Sequence, residues 1–299
     1  MPYIFSPRQT FFANLLRLTD NSAMSSPENT PQTLAFIGGG NMASAIIGGL
    51  IKQGTPATRM LVVEPFEEAR QRVQSQFGVR VLACADATLN EAGLVVWAVK
   101  PQTFKEAAQQ TQAFCPQALH LSVAAGIRSD SIAQWLGTER VVRAMPNTPA
   151  LVGLGQTGLF ARAAVTAADK TWVDQVITTT GALLWVDNEA LLDAVTALSG
   201  SGPAYVFFFI EAMVEAGVKM GLSPEQASQL AIGTFEGASL LAKTSHEPPS
   251  VLRERVTSKG GTTYAALTSL QNAHVGELFQ VALQAAQQRA QELGDEFGA

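Results

Sequence analysis

Cysteine and histidine are almost missing: 299 residues hold two cysteines, Cys84 and Cys115, and three histidines, His120, His246 and His274. The two thiols are too few and too far apart for a disulfide framework or a CxxC site, and the histidines are scattered. No metal centre is expected, and a reducing compartment fits, which points to a cytoplasmic protein. Long apolar runs are missing too. LVVWAV and YVFFFI fall well short of the roughly 18 residues of a spanning helix, so no membrane segment is expected. Positive charge is not in excess either. A net charge of -5 and a pI near 5.3 leave no basic field for phosphates, which argues against nucleic acid or an anionic membrane as the main partner.

What the chain does have is a large apolar share. At 47% hydrophobic over 299 residues it can bury a sizeable core, and its length corresponds to about two domains of roughly 100 to 200 residues. The first 32 residues stand apart: one short patch, FFANLL, is broken by Arg17 and followed by a run rich in Ser, Pro and Asn. The apolar region and small-residue cleavage site of a signal peptide are absent. Residues 1–32 are therefore expected to be a disordered extension, explained by a start codon upstream of Met24. Arg8 and Arg17, with no acid before Asp20, keep a transit peptide as the alternative.

From Leu34 onward short apolar runs alternate with helix-length segments. LAFI, MLVVE, VRVL, LVVWAV, ALHLSVAAG and RVVRAM are brief, partly β-branched and bounded by Gly or Pro, as buried strands are. EEARQRVQSQF and TFKEAAQQTQAF between them carry apolar residues at helical spacing. The alternation predicts a parallel, doubly wound Rossmann-type sheet domain over residues 33–188, with GLFARA and ALLWVD adding two strands at its edge. After Asp187 the strand signal stops. ALLDAVTAL, PAYVFFFIEAMVEAGVKM, SPEQASQLAIGTFEGASLLAK and VGELFQVALQAAQQRAQEL have helix-forming composition, with start signals at Pro203 and Ser223-Pro224. Residues 189–299 are thus predicted to be all-helical, and the fold class is α/β followed by all-α. Several of these helices, Tyr205 to Val218 above all, are apolar on most sides. A helical domain this small has little interior to hide them, so self-association is expected.

FIGGGNMA places Gly38, Gly40 and Ala43 in a G-x-G-x-x-G/A arrangement after a strand and at the start of a helix. Glycine lets such a turn close and lets the backbone approach a pyrophosphate, whose charge meets free amides at the helix N-terminus. Glu64 ends the second strand about twenty residues beyond Ala43, where an acid commonly accepts the adenosine ribose hydroxyls of NAD and repels the 2′-phosphate of NADP. A solvated acid beside Pro65 is the other reading. AVKP brings Lys100 to the same carboxyl edge of the sheet, either to touch phosphate or ribose or to cap the sheet edge. In MPNTPA, Asn147 either presents its amide to a nicotinamide or holds a structural turn.

VTSKGGTTYAAL, Val256 to Leu267, is a hydroxyl-rich and glycine-rich turn running into a helix, with no histidine, cysteine or carboxylate. Amides freed by Gly260 and Gly261, together with Ser258 and Thr262, suit a carboxylate. The alternative is an ordinary N-cap made by Ser258 or Thr262, worth about 1 kcal/mol.

Taken in order, GGGNMA, AVKP, SVAAG, RAMPNTPA, ALSGSGPAYVF and VTSKGGTT closely resemble the pyrroline-5-carboxylate reductase family. The resemblance implies a Rossmann domain, a helical domain through which subunits dimerise and build larger rings, and reduction of 1-pyrroline-5-carboxylate to L-proline by NADPH or NADH. It implies cofactor contacts at Gly38, Gly40, Asn41, Met42, Ala43, Val99, Lys100 and Ala125. It implies substrate contacts at Ser258 and the amides near Thr262 for the carboxylate, at Thr263 for the ring nitrogen, and at Glu189 nearby. Two departures stand out: Lys259 replaces a proline that many relatives carry after the serine, and Glu64 replaces a serine of many NADPH-using relatives. A β-hydroxyacid dehydrogenase would need a catalytic lysine, and neither Lys219 nor Lys243 lies in such a context. A non-catalytic dinucleotide sensor and a reductase of another cyclic imino acid are the remaining alternatives.

Overall fold

A computed structural model describes residues 33–298 of the protein. The extension expected over residues 1–32 lies outside the described residues. The chain runs β1 (Thr33–Ile37), α1 (Asn41–Lys52), β2 (Met60–Val63), α2 (Glu67–Phe77), β3 (Arg80–Leu82), β4 (Ala92–Trp97), α3 (Pro101–Thr111), β5 (Leu119–Ser122), α4 (Ser129–Leu136), β6 (Val141–Met145), β7 (Gly155–Ala161), α5 (Ala167–Ile177) and β8 (Gly181–Trp185). These strands form one sheet in the order β3-β2-β1-β4-β5-β6-β7-β8. The first six follow the doubly wound Rossmann order, in which the strand order reverses between β1 and β4 while the strands stay parallel.

The apolar runs are continuous because both sheet faces are covered. Leu34, Phe36, Val62 and Val96 pack with Ile46 and Ile47 of α1 on one face. Ala35, Ile37, Val63 and Trp97 pack with Phe104 of α3 and Ile132 of α4 on the other. One element departs from the parallel expectation: β7 runs antiparallel to β6. The connection over residues 146–154 holds a 3-10 turn at Thr148–Val152, and it is too short for the dozen or more residues a parallel crossover needs. β8 then pairs parallel with β7 through α5.

The remainder is helical: α6 (Leu191–Val195), a π turn (Thr196–Gly200), α7 (Gly202–Lys219), α8 (Pro224–Thr244), α9 (Pro249–Arg255), α10 (Thr262–Asn272) and α11 (Val275–Phe297). Ser223 opens α8 with a capping box: its hydroxyl accepts the Gln226 N–H, and the Gln226 side chain accepts the Ser223 N–H. Leu192 is buried, and Val195 lies against Gly158 of β7, which ties α6 to the sheet. Near the other end, Asp295 of α11 pairs with Arg128 ahead of α4 at 2.6 Å.

Much of this helical surface is bare. In α7 only Gly217 is buried, in α8 only Ala227 and Ala231, and in α9 and α10 nothing. Phe207 and Phe208 are 63% and 64% exposed. Among the described residues, Leu191–Lys219 forms one helical run long and apolar enough by composition to cross a membrane, longer than either apolar stretch noted in the sequence.

Candidate active site

The glycine turn after β1 sits at the switch point. Gly38 has φ 96°, and a Cβ there would lie 2.6 Å from the Ala98 carbonyl oxygen, so only glycine lets the β1 turn and the end of β4 meet. Gly40, the N-cap of α1, has nothing within 4 Å of where its Cβ would stand. No side chain caps α1, and its first bond runs from the Ser44 N–H to the Gly40 carbonyl. The amides of Asn41, Met42 and Ala43 therefore lack helical acceptors beside open space, which fits a pyrophosphate. Ala43 is fully buried, as close packing of the helix on the sheet requires.

Glu64 is not a solvated acid. It is 7% exposed, and its carboxylate joins two turns: Oε2 accepts the Gly39 N–H at 2.8 Å and Oε1 accepts the Phe66 N–H at 3.0 Å. Val99 is half-buried and Lys100 exposed at the end of β4; Ala125 is exposed in the turn after β5. Lys100 occupies the N-cap position of α3 and makes no side-chain cap bond. All these residues follow the carboxyl ends of β1, β2, β4 and β5, the edge where open sheets gather ligands.

For Asn147 the structure shows the turn, not a free amide. Its Nδ2 donates to the Ser199 carbonyl at 3.1 Å and to the Ser199 hydroxyl at 3.2 Å, while Oδ1 accepts the Gln156 N–H at 2.9 Å. Both hydrogens and the carbonyl are engaged inside the protein, because a buried amide must be satisfied where it sits. The MPNTPA motif is thereby tied to the π turn of ALSGSGP, and π turns recur at functional sites.

Glu189 also has internal partners. Its oxygens accept from the Ser129 N–H at 2.7 Å, from the Ser129 hydroxyl, and from Arg143 Nη1 at 2.9 Å. Arg143 lies within β6 with only 5% of its side chain exposed, and a buried guanidinium requires an anion. Asp193 stands nearby; burial pushes its carboxyl above the usual range, against the pull of Arg143. The sequence reading missed this cluster. Its one signal was a charged residue inside the apolar run RVVRAM.

The turn between α9 and α10 is unclaimed by any cap. Gly260 has φ 73°, and the Gly261 N–H bonds the Ser258 carbonyl at 3.0 Å. Gly261 is the N-cap of α10 with no side-chain bond, so neither Ser258 nor Thr262 is the ordinary cap that an alternative reading allowed. Among the described residues the hydroxyls of Ser258, Thr262 and Thr263 have no hydrogen-bond partner. The amides of Thr262, Thr263 and Tyr264 precede the first helical bond, Ala265 N–H to Gly261 carbonyl. Three hydroxyls and three amides thus converge on one turn with donors to spare. Within a single chain no hydrogen bond or ion pair joins this turn to Glu189 or to the strand-end turns.

Comparison with known proteins gives these features a context. A family model described as pyrroline-5-carboxylate reductase dimerisation matches residues 189–293. One described as NADP oxidoreductase, coenzyme F420-dependent, matches residues 33–126. The pyrroline-5-carboxylate reductase of Pseudomonas aeruginosa is 46% identical over 272 residues, 90% of this chain and 99% of that protein. The solved pyrroline-5-carboxylate reductase of Coxiella burnetii superposes with a TM-score of 0.82 at 38% identity, covering 88% of this chain and 98% of that one. That of Plasmodium falciparum, solved with NADP bound, gives 0.79 at 28% identity, covering 88% and 98%. The dimerisation match gives the bare helical faces an occupant, and it accounts for the apolar run Leu191–Lys219 without a membrane: these surfaces serve self-association. With a nucleotide-binding sheet, a dimerisation region and such identity along nearly its whole described length, the chain belongs to the pyrroline-5-carboxylate reductase family.

Proposed function

We propose that this protein reduces the C=N bond of 1-pyrroline-5-carboxylate to give L-proline, and that the turn from Ser258 to Thr263 holds the substrate. The observation that carries the assignment of the turn is its set of unclaimed donors. Three hydroxyls and three amides without acceptors are what a carboxylate and a ring nitrogen require. Lys259, in place of the proline of many relatives, adds a cation to the same turn.

NAD(P)H, when bound, supplies a hydride from its nicotinamide. The glycine turn and the amides of Asn41, Met42 and Ala43 hold the pyrophosphate; Val99, Lys100 and Ala125 line the adjoining strand ends. A protonated cyclic imine is already a good hydride acceptor, so the residues mainly fix geometry, and the absence of an acid-base pair in the turn needs no substitute. Ser258 and the amides near Thr262 bind the carboxylate and so choose the ring face presented to the hydride. The Thr263 hydroxyl bonds the ring nitrogen, whose positive charge is cancelled when the imine carbon takes the hydride. The domain division at residue 189, dimers built through α7 to α11, and larger rings of dimers belong to the same reading.

The test is the initial rate of NADPH and NADH oxidation with 1-pyrroline-5-carboxylate, with product identified as proline. Turnover with either dinucleotide supports the reading. A folded protein that binds a dinucleotide but does not turn over the imine would overturn it, in favour of another cyclic imine or a sensor.

A further inference from the structure

Glu64 and its surroundings say more than that a dinucleotide binds. The carboxylate lies at the end of β2, on the edge where the adenosine ribose of a Rossmann ligand falls. It is pinned from both sides: one oxygen to the Gly39 N–H inside the phosphate turn, the other to the Phe66 N–H at the start of α2. Each oxygen still has a free lone-pair direction, enough to accept from a ribose diol. Because turning the carboxylate away would break both bonds, its charge stays where a 2′-phosphate would arrive with about two negative charges of its own.

Two cations stand close by. Arg70 Nη1 donates to the carbonyls of Glu64 and Pro65 at 2.9 and 2.6 Å, and Arg72 Nη2 donates to the Gly39 carbonyl at 3.3 Å. These contacts bring both guanidiniums to the backbone on either side of Glu64. Arginines placed this way are the residues that accommodate a 2′-phosphate in NADP-dependent relatives of the fold.

We propose that Glu64 makes this reductase select NADH, and that Arg70 and Arg72 are 2′-phosphate partners whose effect the Glu64 carboxylate cancels. The proposal rests on the dinucleotide reading of the β1 turn and adds to it which dinucleotide is preferred and why.

Titration calorimetry of the full chain with NADH and with NADPH tests it, independently of turnover, for the native protein, Glu64→Gln and Glu64→Ser. The native protein is expected to bind NADH at least tenfold tighter than NADPH. Glu64→Gln, which keeps the size and one of the two amide bonds, should lower that ratio at least tenfold, mainly through tighter NADPH. Glu64→Ser should invert it, and adding Arg70→Ala and Arg72→Ala to Glu64→Ser should abolish the gain for NADPH. A native protein that binds NADPH as tightly as NADH overturns the proposal and leaves the dinucleotide reading standing. So does a ratio that Glu64→Gln leaves unchanged, since the acid would then only brace the loop. Binding of neither dinucleotide overturns both. Should Glu64→Ser fail to fold, the native ratio and that of Glu64→Gln still decide.

Discussion

The Asn147 side chain spends both amide hydrogens on one residue, Ser199, donating to its carbonyl and its hydroxyl oxygen at 3.1 and 3.2 Å. This joins the end of β6 to the π turn that leads into α7, so the sheet and the helices meet through an amide whose two hydrogens are both taken. Asn147→Ala should destabilise the protein by about 1 to 3 kcal/mol in denaturant unfolding, since it leaves the Gln156 N–H without its acceptor. The dissociation constant for NAD(P)H should stay within about twofold of the native value, a change far below the roughly 1.4 kcal/mol that a tenfold difference represents. A large loss of cofactor affinity with unchanged stability would restore direct contact with the nicotinamide.

Thr263→Ala should lower kcat/KM for 1-pyrroline-5-carboxylate by about 5- to 150-fold, the equivalent of roughly 1 to 3 kcal/mol for one hydrogen bond to the reacting nitrogen. Ser258→Ala should act mainly on KM for the same substrate. Steady-state kinetics with dinucleotide saturating separates these effects; an unchanged kcat/KM in Thr263→Ala would remove that residue from the mechanism.

Glu189→Ala strands the guanidinium of Arg143, which is nearly buried, and should cost about 3 to 5 kcal/mol, as breaking a buried pair does. Glu189→Gln should cost less because it still accepts from Ser129 or Arg143. Unfolding midpoints measure this directly. If Glu189→Ala keeps native stability while losing turnover, the residue serves the substrate and not the fold.

His120 gives the fold a pH dependence. Its Nδ1 accepts the indole N–H of Trp97 at 3.0 Å, and burial, helped by the charge of Arg140, lowers its pKa to about 4. Between pH 6.5 and about 4 the unfolded chain takes up a proton that the folded chain refuses. Stability therefore falls as pH drops through that window and is insensitive to this group above it. His120→Gln keeps an acceptor for Trp97. It should shrink the stability difference between pH 7 and pH 5 by about 2 kcal/mol, read from urea unfolding at the two pH values.

Several features are legible in the sequence alone, for physical reasons that can be named. LVVWAV announced a buried strand because a parallel strand covered on both faces needs no alternation, and Ser223-Pro224 announced α8 because a capping box is local chemistry. The direction of β7 was hidden, since residue type does not encode strand direction and only the short 146–154 link decides it. Helix α9 was hidden by Pro248-Pro249 and a length of two turns, too short for periodicity to show. The Arg143–Glu189 and Asn147–Ser199 pairs were hidden for another reason: partners some 50 positions apart are joined by tertiary packing alone. Resemblance placed Glu189 near the substrate, but it could not show that Ser129 and Arg143 already occupy its oxygens. The Ser258–Thr263 turn was legible as a candidate because its residue types are unusual together, and its unclaimed donors became visible only in three dimensions.

The bare flanks of α7 and α8 also govern how this protein behaves in a test tube. A helix pair with three buried residues between its two members has little to gain from folding alone, so part of the free energy of the native state is released only when two chains collide. Melting temperature should then climb with protein concentration, and the last phase of refolding should be second order, slowing on dilution while the sheet forms at a rate dilution does not change.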